Sequence, residues 1–220
     1  MNPSIVSHQQ LYDLLFEAYG PQHWWPAKTA VAMMVGVILV QNSTWTQAAK
    51  VVDVLAEHNY LSWRRLRDVD EQTLWDLLRP AGYFRVKTKR LKAVASFVGQ
   101  YDDDLGRLFA LEPAMLRVKL LTVNGVGKES ADSIICYGAK QPVFVVDAYT
   151  RRLFYRLGWV GERAGYDEIQ ELVHENMAME QTLLGEYHAL IVSHVKEQCK
   201  VRPICSGCPI IFCPRYHNSR

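Results

Sequence analysis

The chain has 220 residues, 49% of them hydrophobic, and a formal net charge of +2 at neutral pH. That is enough apolar material for one or two cooperative cores, and the near-balanced charge means that any polyanion must be met by local charge. Met1 to His8 lacks a basic stretch followed by an apolar run, so no secretory signal is expected, and the most apolar window, Ala30 to Val40, is too short to span a bilayer.

In chain order, most segments read as helices. Ser7 to Tyr19 places Leu11, Leu14, Leu15 and Ala18 on one stripe, with Ser7 as its N-cap. Thr29 to Gln41 is almost continuously apolar, the mark of a buried central helix. Thr44 to Asn59 follows, then Asp70 to Leu78, which stops before Arg79-Pro80-Ala81-Gly82. Val86 to Tyr101 begins basic (Lys87, Lys89, Arg90) and carries an apolar face. Pro113 opens a further helix at a position that tolerates its missing N–H. The run Pro142 to Val146 is β-branched but has no strand partner, so it is expected to be a buried extended link into a helix from Ala148. Helices from Tyr166 to Met177 and Glu180 to Cys199 complete the chain. Internal repeats and alternating strands are absent, and the expected class is all-α.

The helical pattern breaks sharply at Leu121-Thr-Val-Asn-Gly125-Val-Gly127-Lys-Glu-Ser130-Ala-Asp132. Glycine permits φ > 0 and close backbone approach. The first N–H groups of the helix that follows have no internal partner and sit at its positive dipole end, where a phosphate can satisfy them. The segment therefore reads as a helix–hairpin–helix, roughly Pro113 to Tyr137, that grips phosphate through the main chain. A simple packing corner is the competing reading. Downstream, Cys199, Cys205, Cys208 and Cys213 crowd the C-terminus, whereas Cys136 stands alone in an apolar segment as a core residue. In a reducing compartment, four clustered thiols suit a metal better than disulfides.

Trp24-Trp25-Pro26, Gln41-Asn42, Gly82-Tyr83-Phe84 followed by Lys87 and Lys89, the Gly125-Val126-Gly127-Lys128-Glu129-Ser130-Ala131-Asp132 hairpin, Val145-Val146-Asp147 and the terminal cysteines occur in that order. Together they resemble the helix–hairpin–helix (HhH-GPD) DNA glycosylases of the endonuclease III superfamily, over nearly the whole chain. Among these the MagIII-type 3-methyladenine glycosylases are the nearest in look. The resemblance implies two helical domains with a DNA cleft between them. Here these would be a barrel over residues 28–140 containing the hairpin, and a second domain from residues 1–27 plus 141–220 with the catalytic Asp and the cysteine loop. It implies a base-excision-repair enzyme acting as a monomer on double-stranded DNA containing damaged bases, in the bacterial-type cytoplasm at the nucleoid, with no membrane.

Asp147 matches the family's catalytic carboxylate, which stabilises positive charge on the sugar or orients water as the base departs; an N-cap for the following helix is its plainer role. Glu129 occupies the slot where strand-cutting members carry a Schiff-base lysine, and Lys128 stands one step, about 100°, away on a helix. The resemblance thus implies a monofunctional enzyme. Trp24, Trp25 and Trp45 are candidates to stack a flipped, positively charged purine, with Tyr187 and Lys196 as further cleft residues and Glu129 beside the pocket. Gln41 and Asn42 would fill the gap left by the base. Gly82, Lys87, Lys89, Gly125, Gly127 and Lys128 would meet the backbone of the duplex, as would Lys200, Arg202 and Arg215 near the cysteine loop. The plain alternatives are core tryptophans, a C-terminal cap and a solvated basic face. The four cysteines are expected to hold a [4Fe–4S] cluster, although each outer gap is one residue shorter than the family's usual spacing; zinc is the chemical alternative. Two other functions stay open: an endonuclease III-like glycosylase and lyase for oxidised pyrimidines, and a non-catalytic DNA-binding or redox-sensing iron–sulfur protein.

Overall fold

The computed structural model describes residues 6–214. Its elements are α1 (His8–Tyr19), α2 (Ala30–Val40), α3 (Trp45–Glu57), α4 (Trp63–Asp68), α5 (Glu71–Leu78), α6 (Phe84–Gly99), α7 (Leu105–Phe109), α8 (Pro113–Leu121), α9 (Lys128–Ser133), α10 (Ala148–Leu157), α11 (Tyr166–Asn176) and α12 (Gln181–Glu197). No strand occurs among the described residues. The chain divides into two compact units, one formed by residues up to Trp24 together with those from Pro142 onward, the other by Trp25–Gln141.

Local chemistry sets many of the boundaries. Ser7 caps α1 in a full capping box with Gln10. Thr29, Thr44 and Asp70 accept the third-residue N–H of α2, α3 and α5. Two short helices, α4 and α7, lie in stretches with no long apolar period. Arg67 of α4 makes a bidentate pair with Asp103, with N–O distances of 2.6 and 2.9 Å. The Lys92 ammonium takes up the Leu66, Arg67 and Val69 carbonyls at the end of α4. Tertiary partners therefore hold a helix that its own sequence would leave marginal.

In the second unit α2 is the core helix, buried from Ala32 to Leu39. Gly36 lets an indole lie on it, because a Cβ there would come within 3.1 Å of the Trp45 ring. Beyond α9 the chain widens into a π-turn, Ile134–Gly138. In the first unit α1, α10, α11 and α12 close around Leu15, Phe144, Phe154, Ile169, Leu190 and Ile191. The link 142–147 is extended, and side chains meet its polar groups. Phe144 N–H donates to His174 Nε2 at 3.0 Å, Gln170 Nε2 donates to the Phe144 carbonyl at 2.7 Å, and Val146 N–H donates to the Tyr166 hydroxyl oxygen at 3.3 Å. The buried extended link thus has its backbone polar groups satisfied from α11.

Candidate active site, hairpin and cysteine loop

Asp147 closes the extended link as the N-cap of α10. Its Oδ1 accepts the Thr150 N–H at 2.7 Å, and its Oδ2 lies 3.5 Å from Nε2 of His188 on α12. The side chains are only 12% and 6% exposed. Burial alone would push this carboxyl up; bonding to and charge attraction from His188, with the Thr150 bonds, outweigh it and hold Asp147 below the usual carboxylate range. Capping therefore engages one carboxylate oxygen, and the other lies beside His188. Sequence reasoning passed over His188, which on paper is one more histidine in an apolar helix.

In the same unit, the Lys196 ammonium sits 5.7 Å from the ring centroids of both Trp24 and Tyr149. One cation therefore already uses the Trp24 face. Tyr187 is fully buried in the core, its hydroxyl 3.1 Å from His8 Nδ1. That placement corrects the expectation of a cleft residue: the ring packs with Phe144 and Phe154.

In the second unit the hairpin turns at Gly125, φ +86°, where a Cβ would come within 2.2 Å of Arg90 Cγ. Glycine is required there twice over, by conformation and by space. Gly127, at φ −93°, is different: it caps α9, is exposed, and a Cβ would meet nothing within 4 Å. Gln41 ties the hairpin to α2. Its Nε2 donates to the Gly125 carbonyl and to Ser130 Oγ, both at 2.9 Å, while its Oε1 accepts from Arg90 at 2.5 Å. Behind it, Arg117 grips the buried Asp132 at 2.7 and 3.1 Å, joining α8 to α9. Gln41 is therefore a brace in this structure; Asn42 beside it is exposed in a left-handed conformation, φ +53°. Lys128 and Glu129 are both exposed in the first turn of α9.

Gly82 (φ +71°) and Tyr83 (φ +49°) form a second left-handed corner at the start of α6, with Tyr83 68% exposed. The glycine is legible in the sequence; the exposed aromatic ring it presents is not. Lys89 is exposed. Lys87 is 1% exposed and its ammonium donates to the Ala81 carbonyl at 2.7 Å. This corrects its expected phosphate contact, because Lys87 instead pins the turn before α6. Trp25 packs edge-on against Trp45 at 5.1 Å and against Tyr137 of the π-turn at 5.8 Å, forming a half-buried aromatic corner. π-turns recur at functional positions.

Cys199, Cys205, Cys208 and Cys213, none in a disulfide, border one hollow with Arg156 and His194. Arg156 holds its rim, donating to the Cys199, Lys200 and Val201 carbonyls at 2.7–3.0 Å and to Cys199 Sγ at 3.1 Å. Burial pushes the Cys199 and Cys208 thiols up, against Arg156 at Cys199 and the Ile210 backbone at Cys208, and the other cysteines add to the rise. No three donors among the described residues converge as a cage for a single ion. Arg215 lies outside the described residues.

The matches to known proteins are extensive. Residues 35–179 match the HhH-GPD superfamily of base excision DNA repair proteins. The Methanocaldococcus jannaschii protein MJ1434, provisionally named a DNA repair glycosylase, is 41% identical over 203 residues, covering 91% of this chain and 92% of that protein. Endonuclease III of Sulfolobus acidocaldarius is 29% identical over 194 residues, covering 86% and 83%. Two solved structures share the fold. A trapped endonuclease III–DNA covalent intermediate has a TM-score of 0.82 at 18% identity, covering 97% and 98%. H. pylori 3-methyladenine DNA glycosylase (MagIII) bound to 1,N6-ethenoadenine has 0.73 at 24%, covering 87% and 98%. On the family match and the first of these relatives, the chain belongs to the HhH-GPD superfamily of base excision DNA repair proteins.

Proposed function

We propose that this protein is a monofunctional DNA glycosylase that flips an alkylated purine from duplex DNA and hydrolyses its N-glycosidic bond. Membership of the superfamily supports the general class, a hydrolase acting on N-glycosyl bonds. The single observation that carries the chemistry is Asp147, a carboxylate 12% exposed yet held in its charged form. As the bond from C1′ to the base nitrogen breaks, its electron pair leaves with the base and positive charge develops on the sugar. A fixed carboxylate in a poorly hydrated place stabilises that charge strongly. Water then bonds to C1′ and gives up its proton, with Asp147 as the nearby acceptor. An N-alkylated purine leaves as a neutral base, so a strong general acid is not needed.

The other residues take supporting roles. The Gly127 backbone, with clear space where a side chain would stand, receives a phosphate at the start of α9, and Lys89 and Lys128 add local charge. Trp25 and Trp45 supply the stacking surface for the extruded base. Trp24 is assigned to Lys196 rather than to the base, because a second cation on that face would be repelled. Tyr83 fills or wedges the strand from the Gly82 corner. The four cysteines, which border one hollow, would hold a [4Fe–4S] cluster, with zinc as the chemical alternative. The cluster would brace the C-terminal loop. Brown protein absorbing near the thiolate–iron band with stoichiometric iron is expected; colourless protein with stoichiometric zinc would reverse the assignment.

The bifunctional reading retains one specific support, the fold shared with a trapped covalent endonuclease III intermediate. Against it, Glu129 stands in the lysine slot and Lys128 is one helical step away. One assay separates the two. Duplexes carrying 3-methyladenine, 7-methylguanine, thymine glycol or uracil are incubated with the protein and resolved with and without alkali. Alkali-dependent breaks confined to the methylated sites are expected. Alkali-independent breaks at thymine glycol, with a borohydride-trapped adduct, would establish the bifunctional enzyme instead.

A further inference from the structure

Asp147 is held by two contacts of different kind. The Thr150 N–H fixes Oδ1 from the first turn of α10, and any helix with an aspartate cap has that bond. Nothing in helix capping calls for a histidine at the other oxygen. Yet His188, 6% exposed on α12, brings Nε2 to 3.5 Å from Oδ2, with the Phe144 ring edge-on to its imidazole at 6.3 Å. Its neighbour Tyr187 turns into the core. We propose that His188 is the positioning residue of the glycosylase reaction, locking the Asp147 carboxylate in one orientation and keeping it ionised in a site with little water. This rests on the reading of Asp147 as the excision carboxylate.

His188 acts through solvation. A carboxylate withdrawn from water holds its charge only where neighbours replace the lost hydration. Thr150 supplies part of that replacement from the first turn of α10, and the imidazole beside Oδ2 supplies the larger part. Without His188 the buried carboxylate would keep only the Thr150 bonds, and the group would take up a proton at higher pH. A neutral carboxylic acid cannot stabilise charge on the sugar. His188 would therefore set the acid limb of the reaction. Four other titratable groups of the elements packed here have partners of their own. His174 and Tyr166 of α11 serve Phe144 N–H and Val146 N–H, His8 of α1 meets Tyr187, and Lys196 of α12 lies over Tyr149 of α10. Link residues 142–146 carry no charged side chain.

The test compares His188→Gln, which keeps an N–H donor, with His188→Met, which fills similar space without one, and uses Asp147→Asn as the reference. Base release from dimethyl-sulfate-treated duplex DNA is followed under single turnover from pH 5.5 to 8.5. Duplex affinity and melting temperature are measured alongside. His188→Met should lose about ten- to a hundred-fold in rate near pH 6 and recover toward wild type by pH 8.5, because each unit of upward shift in Asp147 moves the acid limb by one pH unit. Affinity should stay within a few-fold, and His188→Gln should remain close to wild type throughout. If Asp147→Asn is inactive while His188→Met is unaffected, or is slowed equally at every pH, the positioning role is wrong and the catalytic assignment stands. If wild type releases no base, or Asp147→Asn remains fully active, the functional reading itself falls and takes this inference with it. Should His188→Met not fold, a wild-type acid limb in His188→Asn, whose shorter amide falls short of Oδ2, would equally overturn the proposal.

Discussion

The Asp147 ledge and the Gly125–Gly127 hairpin handle polar groups in opposite ways. At the ledge, the extended link is buried, its amides are met by side chains of α11, and the one charged group has a partner for each oxygen. At the hairpin, Gln41, Arg90 and Ser130 brace the inner side of the turn, while Gly127 and the first residues of α9 face outward. One region shields a charge from water, and the other exposes Gly127 and the first residues of α9 to it. The contrast matches the two tasks of a base-excising protein. Chemistry gains from a dry, fixed charge, whereas holding a duplex requires exposed, rigid donors and local positive charge.

The largest expected effect lies at the ledge. Asp147→Asn retains a good helix cap, so the fold should persist while excision falls by about 10² to 10³ or more. Single-turnover base release alongside duplex binding checks it; an active Asn variant would erase the distinction between the regions.

At the hairpin, the two glycines should separate stability from function. Gly125→Ala forces a positive φ on alanine and drives its Cβ into Arg90, costing about 1–3 kcal/mol by denaturant melting. Gly127→Ala, with an ordinary φ and open space, should cost the melt no more than the few tenths to about 1 kcal/mol of a poorer N-cap and weaken duplex binding as well. Equal destabilisation by both would show that the second glycine is a packing residue.

Acid sensitivity is expected in the first unit. His8 is pushed down to about 4 by burial, from the usual 6.5. The unfolded chain therefore binds a proton near pH 6.5 that the folded chain refuses until about 4. Stability is full above pH 6.5 and declines across that window as pH falls, by at most about 1.4 kcal/mol per pH unit for this group. His8→Gln should flatten the decline, read from urea midpoints at pH 7, 6 and 5.

The smallest effect distinguishes two lysines that look alike in sequence. Lys89→Ala should lower the salt dependence of duplex binding by about one unit of slope. Lys87→Ala should leave that slope alone and lower the melting temperature, since its ammonium caps the Ala81 carbonyl. A reduced slope for Lys87→Ala would put that ammonium on DNA after all.

Much of this was legible in order and spacing. The Ser7, Thr29, Thr44 and Asp70 caps mark helix starts because a cap is a local bond. The hairpin is legible because only glycine suits Gly125. Lys87 and Tyr187 were misplaced for a shared reason: a basic or phenolic side chain reads as exposed until the packing around it is known. The helices α4 and α7 had too few turns for a period to appear, and Arg67 and Lys92, which hold α4, come from and reach to distant segments.

The sequence by itself determined the all-helical class, the hairpin, the position of Asp147 at a helix start and the family to which the chain belongs, because each is written in neighbouring residues. Only the tertiary structure decided that Gln41 braces the hairpin, that Arg156 clamps the cysteine loop, and that His188, 41 residues beyond Asp147, meets its carboxylate. Such pairings depend on which faces of α10 and α12 are buried together. Burial is a sum over the whole core, and no local stretch of sequence carries it.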